Sequence, residues 1–228
     1  MPKIVSIHQP NYLPYLGFFD KMNKSDIFVI YDDAQFNKRD FQHRNRIRIP
    51  EGSKWLSVPV EKKIKPINKI KIKNEIKISN KLWSKYHYYE ISNHYKNTPF
   101  FQDYSDRLKK IYENNYEYLF SINNEIIKFL HESFGIDTKI RYSSELNIKS
   151  SSSQKNYDIV KAVGGDCYLS GPDGVKYLDE SIFDDVKIKY QDFLHPHYKQ
   201  KYDKFEPYMS AIDALFNIGP NAFINSEL

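Results

Sequence analysis

The amino-acid sequence predicts an α/β protein: a mostly parallel sheet flanked by helices in a three-layer αβα arrangement, with a helical segment around residues 80–135. Three observations predict it. Short β-branched runs alternate along the chain with stretches whose apolar residues recur at helical spacing. The run at 27–31 is continuously apolar, as strands buried on both faces are. The opening strand, helix and strand fit within roughly thirty residues, the size of a βαβ unit.

Each element follows from its own residues. Residues 3–7 are β-branched and alternate, giving a first strand that ends at His8. Leu13, Leu16, Phe18, Phe19 and Met22 form a helical stripe, and Pro14 marks its start because proline is tolerated in a first helical turn. The second strand, 27–31, ends at Asp32-Asp33. Residues 44–49 and 55–60 read as further strands, and the Lys/Ile alternation of 64–78 reads as an edge ribbon guarded by lysines. Residues 81–130 carry three helical patterns, the last stopped at Gly135. The chain returns to strand at 138–143. The serines of 150–153 suggest a mobile loop over a site. A short helix at 156–163 ends at Gly164-Gly165, followed by strands at 167–169 and 186–190 with a turn at 170–174 between them. A last helix, 207–217, closes at Gly219-Pro220. There is no internal repeat, and residues 1–228 are expected to form a single domain.

Bulk properties narrow the function classes. The 40% hydrophobic content supports a proper core, and the 19 Tyr and 15 Phe supply rings for a wet cavity or for half-buried surface. High Lys, Ile, Asn and Tyr usage resembles that of an AT-rich genome, which weakens a functional reading of the tyrosines. One Cys excludes an intramolecular disulfide and points to a reducing compartment. His8 and Gln9 interrupt the N-terminal apolar run too early for a signal peptide, and no stretch has the length of a membrane span, so a cytoplasmic protein is expected. The net charge of +5 is uneven: residues 36–85 hold fifteen Lys and Arg against four acids, a local +11. That segment is either a solvated lysine-rich surface or a face for a phosphorylated or nucleotide-linked substrate, an RNA or an anionic membrane.

In open parallel sheets, ligands bind beyond the carboxyl ends of the strands. The expected strand ends bring His8, Asp32-Asp33 and Ser170-Gly171 to one edge. His8 and Gln9, followed by a proline-started helix, would combine an imidazole, an amide and a helix N-terminus, which together attract phosphate or carboxylate. His8, Asp32 and Asp33 are the catalytic candidates. The aspartates would orient His8, act as base or hold a metal, or else form a plain turn. No further His or acid stands at metal-ligand spacing, so no metal site is expected. Gln9, Asn11, Tyr12 and Gln35 are candidate substrate contacts. So are Arg39, Arg44, Asn45 and Arg46, in a basic stretch whose guanidinium forks fit phosphate and whose rings can stack on a base; the alternative is a loop without function. Ser170 and Gly171 open a turn that could cradle phosphate through backbone amides, although it lacks the ending of a Walker loop. Cys167 reads as a core residue rather than a nucleophile. His195 and His197, flanking a proline, are substrate contacts together with Tyr198 and Gln200. Asp213 and Asn217 lie with Ser210 on the polar stripe of the last helix, which is either a solvated face or a site wall.

Several of these blocks resemble one family. His8-Gln9-Pro10-Asn11-Tyr12-Leu13-Pro14-Tyr15-Leu16-Gly17-Phe18-Phe19 is similar to the N-terminal signature of WbqC-like proteins. The same holds for Asp32-Asp33-Ala34-Gln35-Phe36, Arg44-Asn45-Arg46, Tyr168-Leu169-Ser170-Gly171, Tyr177-Leu178, His195-Pro196-x-Tyr198-x-Gln200 and Ser210-x-x-Asp213-x-x-Phe216-Asn217-x-Gly219. The resemblance implies surface-polysaccharide work, in O-antigen or capsule biosynthesis, on an activated sugar. Within that setting the leading reaction is acyl or aminoacyl transfer to a nucleotide-linked amino sugar. An activated acyl or aminoacyl donor would be needed, and nucleic acid would enter only as the carrier of that group. The basic 36–85 segment would meet the diphosphate, and His8, oriented by Asp32 or Asp33, would take the proton of the attacking amine. The opening also looks similar to that of nucleotidyltransferases, but Asn11 stands where their His-x-Gly-His motif has its second histidine. A third reading is a non-catalytic sugar-nucleotide or RNA-binding accessory protein.

Overall fold

A computed structural model describes residues 2–222. In chain order the elements are β1 (Ile4–His8), α1 (Leu16–Asn23), β2 (Ile27–Ile30), β3 (Arg44–Ile49), β4 (Gly52–Ser57), β5 (Lys77–Ile78), β6 (Lys81–Leu82), α2 (Trp83–Tyr95), α3 (Phe101–Glu113), α4 (Leu119–Ser133), β7 (Lys139–Tyr142), α5 (Ser152–Ala162), β8 (Cys167–Ser170), β9 (Lys187–Tyr190) and α6 (Ala211–Ile218). They divide into two compact units. The first gathers residues 2–9, 17–34 and 136–194; the second holds residues 10–16, 35–135 and 195–222.

The first unit is the α/β body that the sequence predicts. Its five strands run parallel in the order β7-β2-β1-β8-β9. Side chains alternate across the sheet, as strand geometry requires. Val5, Ile7, Ile27 and Val29 face Ile159, Val160 and Val163 at α5. The residues between them face α1: the Phe28 ring lies 5.0 Å from that of Phe18, and Ser6 Oγ donates to the Lys21 carbonyl. Helices therefore cover both faces, giving the three layers. Cys167 is fully buried in β8, and burial raises its thiol.

The turn from α5 into β8 shows how tightly this body is packed. Gly164 adopts φ +73°, which glycine takes without strain. At Gly165 the constraint is space, because a Cβ would stand 2.5 Å from Val5 Cγ2 and 2.9 Å from Val160 Cγ1. Gly165→Ala should therefore cost about 1–3 kcal/mol through overpacking of stiff β-branched neighbours. A urea midpoint unchanged from the parent protein would show that the sheet yields at this point.

The second unit carries four of the six helices. Helices α2, α3 and α4 follow one another in it, as the 81–130 pattern predicts, and α6 packs on α3 and α4. Gly135 ends α4 at φ +63°. Strands β3 and β4 form a separate antiparallel hairpin, with Ile49 paired to Gly52 across its turn.

Four expectations about local structure are corrected. Helix α1 starts at Leu16, not Pro14, because Tyr15 pairs with Ser210 and Leu13 takes a strained φ of +46°. Residues 64–78 form no continuous edge ribbon, although Lys77-Ile78 pair with β6 and Ile72 bridges to Val60. Their isoleucines 67, 70 and 72 are buried, and the backbone of Ile70 and Ile72 bonds to Leu119 and Glu117 at the start of α4. The serines at 150–153 are not a loop over a site, for Ser151 is the N-cap of α5 and Ser152 begins it. Helix α6 starts at Ala211 rather than Pro207, because the Ser210 N–H goes to the Arg46 carbonyl and the Ala211 N–H to that of Pro14.

Candidate functional site

All five strands of the parallel sheet end at one edge, so His8 (β1), Tyr31 to Asp33 (after β2), Ser143-Ser144 (after β7) and Ser170-Gly171 (β8) line that edge together. The sequence-based convergence of His8, Asp32-Asp33 and Ser170-Gly171 is therefore what the strand registers produce. In the order β7-β2-β1-β8-β9, the first three strands of the sheet in sequence occupy one side and the last two the other. The switch falls between β1 and β8, where doubly wound sheets open their crevice.

His8 sits at that switch. Its ring packs edge-on against Phe18 at 4.8 Å, and Nδ1 lies 2.8 Å from the Gln9 carbonyl. A nitrogen facing a carbonyl carries the proton, so Nε2 holds the lone pair. Burial, reinforced by the charge of Lys21, pushes the imidazole down to about 3, so it is neutral in neutral solution. The ring is thus anchored by the Gln9 carbonyl rather than by an aspartate.

Beside it lies a residue that sequence reasoning missed. Lys21 of α1 is 2% exposed and donates 3.0 Å to the Ile7 carbonyl. A Cβ added at Gly171 would stand 3.9 Å from its Nζ, so the amine also lies beside the β8 end. Burial alone pushes it down to about 7, the range in which a lysine can both accept and return a proton. The available signal was a lysine directly beside Met22 in the apolar stripe of α1.

On the β2–β7 side, the two aspartates are fixed by other side chains. Asp32 accepts from Ser144 N (3.0 Å), Ser144 Oγ (2.7 Å) and Ser143 Oγ (3.1 Å). Asp33 accepts from Ser143 Oγ and pairs with Lys155 Nζ at 2.7 Å, while that ammonium also lies 4.9 Å from the Tyr31 ring centre. Lys155 comes from α5 and was not singled out in the sequence. The buried Ser170 abuts Gly174, where an added Cβ would approach Ser170 Oγ to 2.1 Å. Among the described residues, no group of three His, Cys, Asp or Glu could hold a metal ion.

The remaining candidates belong to the second unit. Asn11 and Tyr12 are buried, and Tyr12 Oη bonds His87 Nδ1 (2.7 Å) and Tyr112 Oη (2.5 Å). Asn45 donates 2.6 Å to the strained Leu13 carbonyl. Gln35 is exposed and bridges to Pro66, and the exposed Arg39 offers its carbonyl to Arg44 at 2.9 Å. Arg44 and Arg46 lie over the Trp55 ring at 4.8 and 5.6 Å. The ring of His195 approaches that of Tyr208 at 5.0 Å, and the exposed His197 approaches Phe205 at 4.3 Å.

Tyr198, Gln200, Asp213 and Asn217 come together as one buried cluster. Asp213, with no exposed surface, accepts from Tyr95 Oη (2.8 Å), Tyr198 Oη (2.7 Å) and Gln200 Nε2 (2.8 Å), and Asn217 donates to its backbone carbonyl. The family motifs around 195–217 thus converge on an interior hydrogen-bond network.

The parallel sheet with both faces covered and its strand switch between β1 and β8 define a doubly wound, three-layer α/β protein. The family model described as the WbqC-like protein family matches residues 9–224, and the chain belongs to that family. It is similar to "Uncharacterized protein Rv1507c" of Mycobacterium tuberculosis (strain ATCC 25618 / H37Rv), 33% identical over 224 residues covering 96% of each chain. No solved structure matches. No helix among the described residues is long and apolar enough to cross a membrane.

Proposed function

We propose that this protein binds a nucleotide-linked amino sugar at the carboxyl edge of its parallel sheet and transfers an acyl or aminoacyl group to the sugar amine, in surface-polysaccharide biosynthesis. The observation that carries the reading is the buried Lys21 amine, held by the Ile7 carbonyl between His8 and Gly171 at the strand switch. A phosphate placed there meets a cation with no carboxylate bonded to it among the described residues; where the reacting amine lies there instead, the neutral Lys21 amine and His8 Nε2 are two groups able to take its proton.

The chemistry balances within those groups. The sugar nitrogen attacks the acyl carbonyl carbon, the bond from that carbon to the donor's leaving atom breaks, and the ammonium proton passes to Lys21 or to His8 Nε2. The same proton then goes to the departing group. Lys21, pushed down to about 7, suits such a relay better than His8 at about 3. Asp33 and Lys155 stiffen the neighbouring loop rather than react.

The test is product mass after incubation with a UDP- or dTDP-linked amino sugar and acyl or aminoacyl donors. His8→Gln should fold normally and lose at least about tenfold in rate, in line with the usual share of one acid–base group. Full activity in both His8→Gln and Lys21→Met would sink the assignment. A second reading, nucleotidyl transfer, is favoured by the strand order alone, since nucleotides are frequent ligands of such sheets. Pyrophosphate release from a nucleoside triphosphate and a sugar phosphate would select it.

A further inference from the structure

The β3–β4 hairpin of the second unit carries a feature that the sheet-edge reading does not use. Trp55 and Phe41 are each 46% exposed, yet their rings stack on one another, 5.9 Å between centroids at 29°. Large apolar rings left half in water at the centre of a basic surface call for an explanation, because burying them would be favourable.

The two arginines against the pair form no ion pair among the described residues. Arg46, opposite Trp55 in the hairpin register, carries no ion pair, and its Nε is buried without a hydrogen-bond partner. Arg44 Nε is likewise buried and unpartnered, and its guanidinium is tied only to the Arg39 carbonyl. Both guanidiniums lie against the indole, so their forks are fixed in place beside an open aromatic face. Lys54 of β4 is paired with Glu90 at 2.8 Å.

We infer that this hairpin is a binding platform for single-stranded nucleic acid, in which a base stacks on the Phe41–Trp55 pair and the adjoining phosphates lie on Arg44 and Arg46. Stacking on exposed rings beside cations that track a backbone is how unpaired strands are held without sequence readout. A strand is favoured over a lone nucleotide because the surrounding segment, residues 36–85, carries +11, a charge matched by several phosphates. This inference does not rest on the sheet-edge reading, and either can fail alone.

Trp55 makes the test direct. The protein has two tryptophans, and Trp83 is buried at 2% exposure, so emission quenched by a ligand reports on Trp55. Titration with an oligouridylate and an oligoadenylate of about a dozen nucleotides should quench that emission, with an affinity that falls steeply as salt rises. A blunt duplex of the same length should quench far less. Arg44→Gln with Arg46→Gln should weaken binding at least about tenfold while leaving the melting profile unchanged. Trp55→Phe should keep binding, read by anisotropy of a labelled oligomer, while losing the quench. Absence of binding at low salt would overturn the inference. So would undiminished binding by the double arginine variant, or quenching by UMP or AMP at the affinity of the oligomers.

Discussion

Asp213→Ala should lower the stability of the protein by about 3–5 kcal/mol, the usual cost of removing one partner from a buried charged network. The loss is large because three donors face that carboxylate from two segments: Tyr95 in α2, and Tyr198 and Gln200 in the chain leading to α6. Each would be left unsatisfied in an interior that water does not reach. Arg48 makes matters worse. It is 1% exposed, its guanidinium bonds the carbonyls of Ile49, Gly52, Asp203 and Lys204 and the Gln200 amide oxygen, and its backbone N–H donates 2.8 Å to Tyr95 Oη. The Asp213 charge is what favours that buried cation electrostatically. Burial nonetheless outweighs these bonds and holds the Asp213 carboxyl above the usual carboxylate range. Tyr95→Phe and Tyr198→Phe remove one donor each and should cost about 1–2 kcal/mol apiece. Urea unfolding of the three variants decides the matter. A loss below about 1 kcal/mol for Asp213→Ala would mean that the network is incidental to stability.

How much of this was legible beforehand depended on which physical signal each residue carried. Periodicity read the parallel sheet and the three central helices correctly, because the apolar faces of those elements are set by local sequence. The same signal misled at 64–78. There the alternation of lysine and isoleucine reflects burial against α4, and the backbone pairs piecemeal with residues 117–119 and 59–61 instead of forming one continuous ribbon. Strand ends located the edge that holds His8, Asp32 and Ser170, since a parallel sheet leaves no choice about which ends share an edge. Motif spacing spoke less clearly about role. Tyr198, Gln200 and Asp213 read as substrate contacts from their residue types, yet each already has its polar atoms bonded inside the second unit. Lys21 and Lys155 were illegible for the opposite reason. A lysine in a lysine-rich chain reads as solvated surface, and only the packing of α1 and α5 on the sheet shows both to be buried.

Lys21→Met should give a protein that is at least as stable as the parent near neutrality and that no longer binds the sugar nucleotide. The stability half follows from linkage. Lys21 titrates near 7 in the folded chain against an ordinary value of 10.5, so the folded state holds the proton less tightly than the unfolded state does. Below pH 7 the fold therefore carries the full penalty of a buried ammonium. The penalty fades as pH rises toward 10.5, at about 1.4 kcal/mol per unit at most, so this residue makes the parent more stable with rising pH across that window. Methionine has a similar length and no charge, so the variant should lack this rise; it gives up only the bond to the Ile7 carbonyl, worth about 1 kcal/mol. The binding half has the opposite sign. An anionic ligand needs Lys21 protonated, so parent affinity should fall above pH 7, whereas the variant should bind at least about tenfold more weakly and without that pH dependence. Gain of stability with loss of binding is the mark of a group retained for function at a cost to the fold. Urea midpoints at neutral and alkaline pH, combined with calorimetric titration of a UDP-sugar, measure both halves. A variant destabilised at pH 7 with unchanged affinity would assign Lys21 to structure alone and remove the anion from this edge of the sheet.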